Sequence, residues 1–584
     1  MESITKYNNL SLAEKKATGE ITEFLKFAMS GEIKEDEIEI IYPPESRMGD
    51  YSVPCFKLSS ALKMPPAKVS SNLSARVKNF EYFSKVQAAG PYLNFYVNEK
   101  FIAEVLKEIS RRKAKYGLAK KEKEKIMVEY ASLNTHKEFH IGHLRNVCLG
   151  SSIVNILKFQ GKSVIPAYYI NDFAWHVGQT IWGYLKFGFK EEPAENKGKF
   201  LGQLYARSAK MVAENDQYKE EAKSVMKKLQ QGDKEITKLW KKTRQWSINE
   251  FEEIFKELGA EFKARFFESQ FFHTGIEMVQ NLKIRGILKE SQGAVIADLQ
   301  NYDLGVLVFL RQDGTTLYPV SDIPLAFSKF KKYKIDKSLY IVDVRQSFYF
   351  KQLFKILELI GLNNPLQHID YEFVTLPEGA MASRLGRVVL MQDLKDEVYK
   401  RALEETKKRH SDWKEKKLQM TAKKITLAAI KFGMLKSGKE KVIVFDVNQS
   451  LEFTGFTGPY LQYVGARINS IIKKSKFQNS NIKQNQKHKI QRKNLFDTHE
   501  EKSIIKLLAA FPQVMESAAK NYEPALVSQY LYNLASSFST FYEKVSVLKA
   551  EPDLKRARLF LIRQVRTVME NGLKVLGIEM LDEM

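Results

Sequence analysis

VEYASLNTHKEFHIGHLRN, residues 128–146, reads as a strand that turns into a helix. Residues 125–132 form a short apolar run, a helix opens at 141–145 around Gly142, and helical periodicity continues to Phe159. A second strand-like run follows at 164–170. Strand, helix and strand within about forty residues make a βαβ unit, so a parallel sheet is expected. The turn carries His140-Ile141-Gly142-His143. Two imidazoles there can donate hydrogen bonds to an anion. The helix N-terminus is expected to add free N–H groups and partial positive charge. Gly142 lets the backbone approach a ligand without a Cβ in the way. The combination suits the α-phosphate of a nucleotide under in-line attack. Two surface histidines at a helix cap are the plain alternative.

Upstream, residues 1–118 read as a small α/β module. A helix is expected at 21–29, a strand at 37–42 and a second helix opened by the turn at Gly49-Asp50-Tyr51-Ser52. Another strand is expected at 86–97. Downstream, 173–285 is charged and mostly helical in pattern, which reads as an insertion into the sheet. Strand-like runs return at 293–298, 304–310, 338–344 and 371–376, and the sheet is expected to close with them. After Leu390 the pattern is helical. Leu531, Leu534, Phe538, Phe541 and Val545 step by three and four, as do Leu559, Ile562, Val565, Met569, Leu573 and Leu576. That periodicity predicts a helical bundle. The chain thus divides into an α/β domain at 1–118, a Rossmann-like parallel-sheet domain at 119–390 and a helical segment at 391–584.

The 584 residues carry a formal net charge of +24. Such an excess favours a polyanionic partner, nucleic acid or an anionic membrane surface. The segment 473–493 is basic and reads as mobile. The two cysteines, Cys55 and Cys148, lie far apart with no Cys/His cluster, so neither a metal site nor a disulfide framework is expected. Two thiols without a secretion signal fit a reducing, cytoplasmic setting. The longest uncharged stretch, 524–542, holds several Ser, Asn and Gln around one apolar stripe, so it reads as a soluble amphipathic helix with no membrane role.

The 128–146 stretch resembles the HIGH-motif region of class I aminoacyl-tRNA synthetases, the arginyl family most of all. Gly49-Asp50-Tyr51 and Ala89-Gly90-Pro91-Tyr92-Leu93-Asn94-Phe95 are similar to that family's N-terminal added domain. Asp313-Gly314-Thr315-Thr316-Leu317-Tyr318 with Ser321-Asp322-Ile323 is similar to its DGTxLYxTRD stretch. Thr457-Gly458-Pro459-Tyr460-Leu461-Gln462-Tyr463 and the ending 558–584 are similar to its C-terminal half.

The resemblance implies arginine, ATP with accompanying Mg²⁺, and tRNA(Arg) as partners, in a cytoplasmic monomer. A guanidinium needs planar acceptors, best supplied by carboxylates. The family pattern sets Asp322, Glu129 and Tyr318 around the guanidinium. It sets Ser132, Asn134, His143 and Gln346 near the α-amino and carboxylate end. A helix N-cap is the alternative for Asp322, and an outward, solvated position the alternative for Glu129. ATP falls to His140, Gly142, His143 and Lys137, with Met381, Ser383 and Arg384. Among these His140, His143 and Lys137 are the catalytic candidates. Tyr460, Tyr463, Arg467, Tyr542 and Met584 are the tRNA-binding candidates.

The departures are informative. Leu133 and Glu138 stand where the family usually has prolines, and Tyr349 where it commonly has His. The run Ala380-Met381-Ala382-Ser383-Arg384-Leu385-Gly386 stands for the KMSKS loop with both lysine positions empty. The resemblance implies that Lys137 supplies the missing cation. Two alternatives stay open, a catalytically silent tRNA-binding relative and a nucleotidylyltransferase with an HxGH site.

Overall fold

The computed structural model describes residues 3–29, 33–34, 37–45, 48–77, 79–377, 389–479 and 495–584. They divide into two compact units. One contains residues 1–120, 159–161 and 451–584; the other contains 121–158 and 162–450.

The first unit joins the two ends of the chain. Strands β1 (Tyr51–Pro54), β2 (Phe83–Ala89) and β3 (Tyr92–Val97) form an antiparallel sheet in the order β1-β3-β2. The single strand expected at 86–97 is therefore a hairpin, turned at Gly90 with φ 57°. The strand expected at 37–42 is reduced to one bridge, Ile41 to Ser52. The turn at Gly49 leads into β1 and not directly into a helix, because Asp50 is drawn onto β3. Its amide donates to Phe95 O at 2.7 Å and its Oδ2 accepts from Val97 N at 2.7 Å. Asp50 also pairs with Lys506 of the helix His499–Asn521. Glu516 of the same helix accepts from Asn8 N and Asn9 N at 3.1 and 2.6 Å. Every member of the two predicted stripes, 531–545 and 559–576, is buried. They lie along the helices Pro524–Lys544 and Pro552–Val575 and just beyond them.

The second unit is built on a parallel sheet. Its strands are β4 (Lys125–Glu129), β5 (Leu133–Asn134), β6 (Ser163–Asn171) and β7 (Ala264–Phe267). After β8 (Lys289–Ser291), β9 (Ala294–Asp298) and β10 (Val306–Leu310) come β11 (Lys337–Asp343) and β12 (Leu366–Tyr371). All pairings of β4, β6, β7, β11 and β12 are parallel, and β5 continues the line of β4 along β6. Across the sheet the order is β12-β11-β4-β6-β7. That is the Rossmann arrangement. It reverses between β4 and β11, where a crevice opens beyond the carboxyl ends of the strands.

Two expectations change here. β7 lies inside the region read as a helical insertion. It is a four-residue edge strand with alternating burial, hidden in a charged stretch. β9 and β10 do not close the parallel sheet. With β8 they make a separate antiparallel one, because Gln292 and Gly293 both take positive φ and turn β8 straight back into β9. A last short pair, β13 (Val374–Thr375) with β14 (Ile443–Val444), interrupts the otherwise helical region after Leu390.

Candidate active site

The residues after β4 are held by Asn146 from the helix Ile141–Phe159. Its Oδ1 accepts from Ala131 N at 2.5 Å, while its Nδ2 donates to Ile341 O at 2.8 Å and Tyr371 Oη at 3.0 Å. One buried amide thus ties the ends of β4, β11 and β12 together. Ala131 takes a left-handed φ of 59°, and Tyr130 packs so close to Gly150 that a Cβ there would meet its ring at 2.3 Å.

His140 caps the helix in an unexpected way. Its Nδ1 accepts from Gly142 N at 3.1 Å and His143 N at 3.3 Å, and His140 N donates to His143 Nδ1 at 3.3 Å. The two rings stack with centroids 3.5 Å apart. The first-turn amides are therefore engaged by imidazole, and the expected free N–H groups are absent at Gly142 and His143. Each Nδ1 is an acceptor, so each neutral ring carries its proton on Nε2. Burial pushes the His140 imidazolium down to about 4, helped by the charges of Arg345 and Lys137. Burial, then His140 and Lys137, hold His143 well below the usual range. What this site offers an anion is a pair of neutral N–H donors.

Lys137 follows a locked turn. His136, at φ 64°, has its Nδ1 2.9 Å from Thr135 Oγ1 and its Nε2 2.8 Å from Thr243 Oγ1, and its amide donates to Ser247 Oγ at 2.9 Å. Lys137 Nζ lies over the Tyr205 ring, 4.9 Å from its centroid. Glu138 packs against Gly202, where a Cβ would clash with it. The segment emerging from the KMSKS-like run passes the same place, since Ile141 N donates to Val389 O and Met391 N to Phe139 O, both at 3.0 Å. Met381, Ser383 and Arg384 lie outside the described residues.

The carboxylates gather on the other side of the crevice. Asp322 sits within the helix Pro319–Tyr333, past its start, and its Oδ2 accepts from Tyr349 Oη at 2.5 Å, so it is not an N-cap. Burial raises its carboxyl to about 7 against that hydrogen bond, with Glu129 adding and Lys329 opposing. Glu129 points inward, and its cost is met by an ion pair with the fully buried Lys329 at 2.6 Å. Glu268, immediately after β7, has a buried Oε2 without a hydrogen-bond partner among the described residues. Burial, then Asp172 and Asp322, raises its carboxyl to about 8. Asp172 is already paired with Arg244 at 2.6 Å. Tyr318 is exposed beside Tyr349, with ring centroids 6.2 Å apart. Asp322 thus adds to the proton affinity of Glu268, as Glu129 adds to that of Asp322, and neither Asp322 nor Glu268 is ion-paired among the described residues. Two groups of this type attract a cationic ligand with planar donors.

Of the remaining predicted residues, Asn134 Oδ1 accepts from Asn171 Nδ2 at 3.4 Å. Ser132 is half-buried between β4 and β5, and Gln346 is exposed in the turn after β11. Sequence reasoning missed Glu268, Lys329 and Asn146. Glu268 was hidden because β7 was; a glutamate ending a recognised strand of the sheet would have stood out.

In the first unit the tRNA candidates converge. Arg467, on the helix Gly458–Asn479, lies over the Tyr542 ring at 4.6 Å. Tyr460 Oη is 3.2 Å from Ser539 Oγ. The C-terminal tail follows the same helix, with Gln462 Nε2 donating to Glu579 O at 2.9 Å and Asn469 Nδ2 to Leu581 O at 3.2 Å. Met584 ends that tail, and Tyr463 is half-buried on the helix.

Three family profiles match the chain. Residues 105–447 match the class I (R) tRNA synthetase catalytic domain, 461–584 the DALR anticodon binding domain, and 15–97 the arginyl tRNA synthetase N-terminal domain. The arginine–tRNA ligase of Halothermothrix orenii is 32% identical over 556 residues, covering 94% of this chain and 96% of the relative. That of Treponema denticola is 35% identical over 566 residues, covering 94% and 95%. The arginyl-tRNA synthetase structure from Thermus thermophilus superposes with a TM-score of 0.77 at 24% identity, covering 97% of this chain and 99% of that one. At that identity the superposition speaks for the fold.

Proposed function

The chain belongs to the arginyl-tRNA synthetase family of class I, and on that premise we propose how its residues carry out the reaction. It is an arginine–tRNA ligase. The arginine carboxylate attacks the α-phosphate of ATP, forming arginyl-adenylate and releasing pyrophosphate. A hydroxyl of the terminal tRNA ribose then takes the arginyl group and AMP leaves.

The observation that carries the substrate assignment is the pair Asp322 and Glu268, two half-buried carboxyls without an ion-pair partner among the described residues, beside Tyr318 and Tyr349. Binding a guanidinium ionises both. Glu129 acts from behind, its charge balanced by Lys329. Ser132, Asn134, His143 and Gln346 orient the α-amino and carboxylate groups. Asp322 is tied to Tyr349, the family's usual histidine position, which fixes the carboxylate plane.

His140 and His143 donate neutral N–H groups to the α-phosphate, and Gly142 leaves room for it. Lys137 supplies positive charge, as does Arg384 of the loop, where Met381 and Ser383 add neutral contacts to the ATP. Magnesium accompanies the ATP and offsets phosphate charge. Catalysis is positioning and electrostatic stabilisation, without a covalent enzyme intermediate. Tyr460, Tyr463, Arg467, Tyr542 and Met584 form the anticodon-side contact. Functionally, 1–118 is the added domain, 119–390 the catalytic domain and 391–584 the stem and anticodon segment. The protein acts as a cytoplasmic monomer; no helix among the described residues is long and apolar enough to cross a membrane.

A tRNA-dependent ATP–pyrophosphate exchange assay tests the reading. Arginine should support exchange, and citrulline, with the shape but not the charge, should not. Exchange with citrulline would overturn the carboxylate assignment. No exchange, with intact tRNA binding, would make the chain a silent relative.

A further inference from the structure

A nucleotide phosphate held beside His140 calls for fixed positive charge, and the described cations around that crevice differ in their commitments. Arg145 lies inside the HIGH stretch but is buried. Its guanidinium donates to the carbonyls of Glu372, Phe373, Gly438, Lys439 and Lys441, so it ties backbone to backbone. Lys137 rests on the Tyr205 ring. Arg345 is placed differently. It follows β11, at the carboxyl end of the strand that borders β4 where the sheet order reverses.

Asp343 holds it from two sides. Oδ1 accepts from Arg345 N at 3.0 Å and from Nε at 2.7 Å, while Oδ2 accepts from NH2 at 3.0 Å. The planar fork is therefore oriented although 78% of the side chain is exposed. The NH1 edge takes no part in the pair. The charge of Arg345 is also felt at the His140 ring, which it helps keep unprotonated.

We infer that Arg345 is a phosphate-binding residue of this active site, its guanidinium oriented by Asp343 and donating hydrogen bonds to the polyphosphate of ATP. The inference rests on the ATP-dependent reaction proposed above. A guanidinium presents parallel donors that match phosphate oxygens, and an oriented one loses little freedom on binding. Its pairing with Asp343 offsets much of its charge at longer range. The contribution is thus short-range and directional, and it should depend on a phosphate being within reach. A nucleoside without phosphates should not sense it.

Titration calorimetry of the full chain with ATP, ADP and adenosine, in the presence of magnesium, tests this for wild type, Arg345→Gln and Arg345→Lys. Removing one charge-assisted hydrogen bond to phosphate should weaken ATP binding by roughly ten- to thirty-fold in Arg345→Gln. Adenosine binding should change by less than about twofold, since the nucleoside lacks the acceptor. Arg345→Lys should recover part of the ATP affinity, keeping charge but not the fork. A wild-type ATP affinity in Arg345→Gln would overturn the inference, and so would an equal weakening for ATP and adenosine. If the wild type bound no ATP, the proposed reaction itself would fall.

Discussion

The proposed amino-acid pocket and the proposed tRNA face use ionic and aromatic groups in opposite ways. In the pocket, Glu129, Glu268, Asp322 and Tyr349 come from four separate elements and are buried or half-buried against one another. Two of the carboxyls are raised into the neutral range because no ion pair offsets their burial. On the tRNA face, Tyr460, Tyr463, Arg467 and Tyr542 come from two helices and stay partly exposed, with Arg467 already stacked on Tyr542. The pocket concentrates its energy in a few desolvated charges. The face presents several separate, solvent-accessible groups. Single substitutions should therefore be severe in one region and graded in the other.

Asp322→Asn should give the largest effect. Leaving a desolvated guanidinium without its carboxylate costs about 3–5 kcal/mol. Arginine activation should be lost while circular dichroism and the melting curve remain close to wild type. A near-normal KM for arginine in this variant would show that the pocket does not work by concentrated charge.

Lys137→Ala comes next. Removing one preorganised donor to a developing phosphate charge lowers kcat by roughly 10²–10³. KM for arginine should barely change, because the proposed role of the lysine is toward the phosphates. Single-turnover adenylate formation with tRNA present separates it from Arg384→Ala. Full-speed activation by Lys137→Ala alongside a crippled Arg384→Ala would move the charge into the loop.

The raised carboxyls set a pH dependence with a definite sign. Asp322 at about 7 and Glu268 at about 8 hold protons in the unliganded fold that the unfolded chain has already released at those pH values. Their contribution to stability therefore falls as pH rises from the ordinary carboxylate range through 7 to 8. In the proposed pocket arginine requires both ionised. Its affinity should weaken as pH drops below about 8 and more steeply below about 7, its binding should release protons near neutrality, and its protective shift in Tm should grow with pH. Calorimetry in buffers of different ionisation enthalpy reads the proton release directly. A pH-independent affinity between about 6 and 8 would mean that the two carboxyls do not meet the ligand.

The smallest single effects belong to the tRNA face. Tyr542→Ala should weaken cognate tRNA binding by about 1–3 kcal/mol, the worth of one stacked base. Deleting Met584 should act in the same direction. Neutralising Lys473 and Lys474 should flatten the slope of log K against log salt by about 0.7–0.9 for each phosphate that is no longer neutralised, without changing which tRNA is charged. An effect of Tyr542→Ala as large as that of Asp322→Asn would erase the contrast between the two regions.

What could be read from the sequence depended on how local the signal was. The βαβ unit around residues 128–146 and the stripes at 531–545 and 559–576 rest on periodicity within single elements, and those elements fold as read. The HIGH histidines and Lys137 sit on one short turn, so their neighbourhood was legible too. Pairings between distant segments were not. Four residues of β7 carry too little periodicity to betray an edge strand, and Glu268 was hidden with it. The antiparallel pairing of β8, β9 and β10 depended on backbone angles at Gln292 and Gly293.

The tertiary structure alone settled which charges are paired. Sequence determined that Glu129, Asp322, Lys329 and Asp343 exist and, by resemblance, which of them to suspect. Only the fold decided that Lys329 neutralises Glu129, that Tyr349 holds Asp322 and that Asp343 orients Arg345. The reason is physical. A helix or strand declares itself through spacing along one chain, whereas the state of a buried charge is fixed by desolvation and by neighbours that arrive from elsewhere in the sequence.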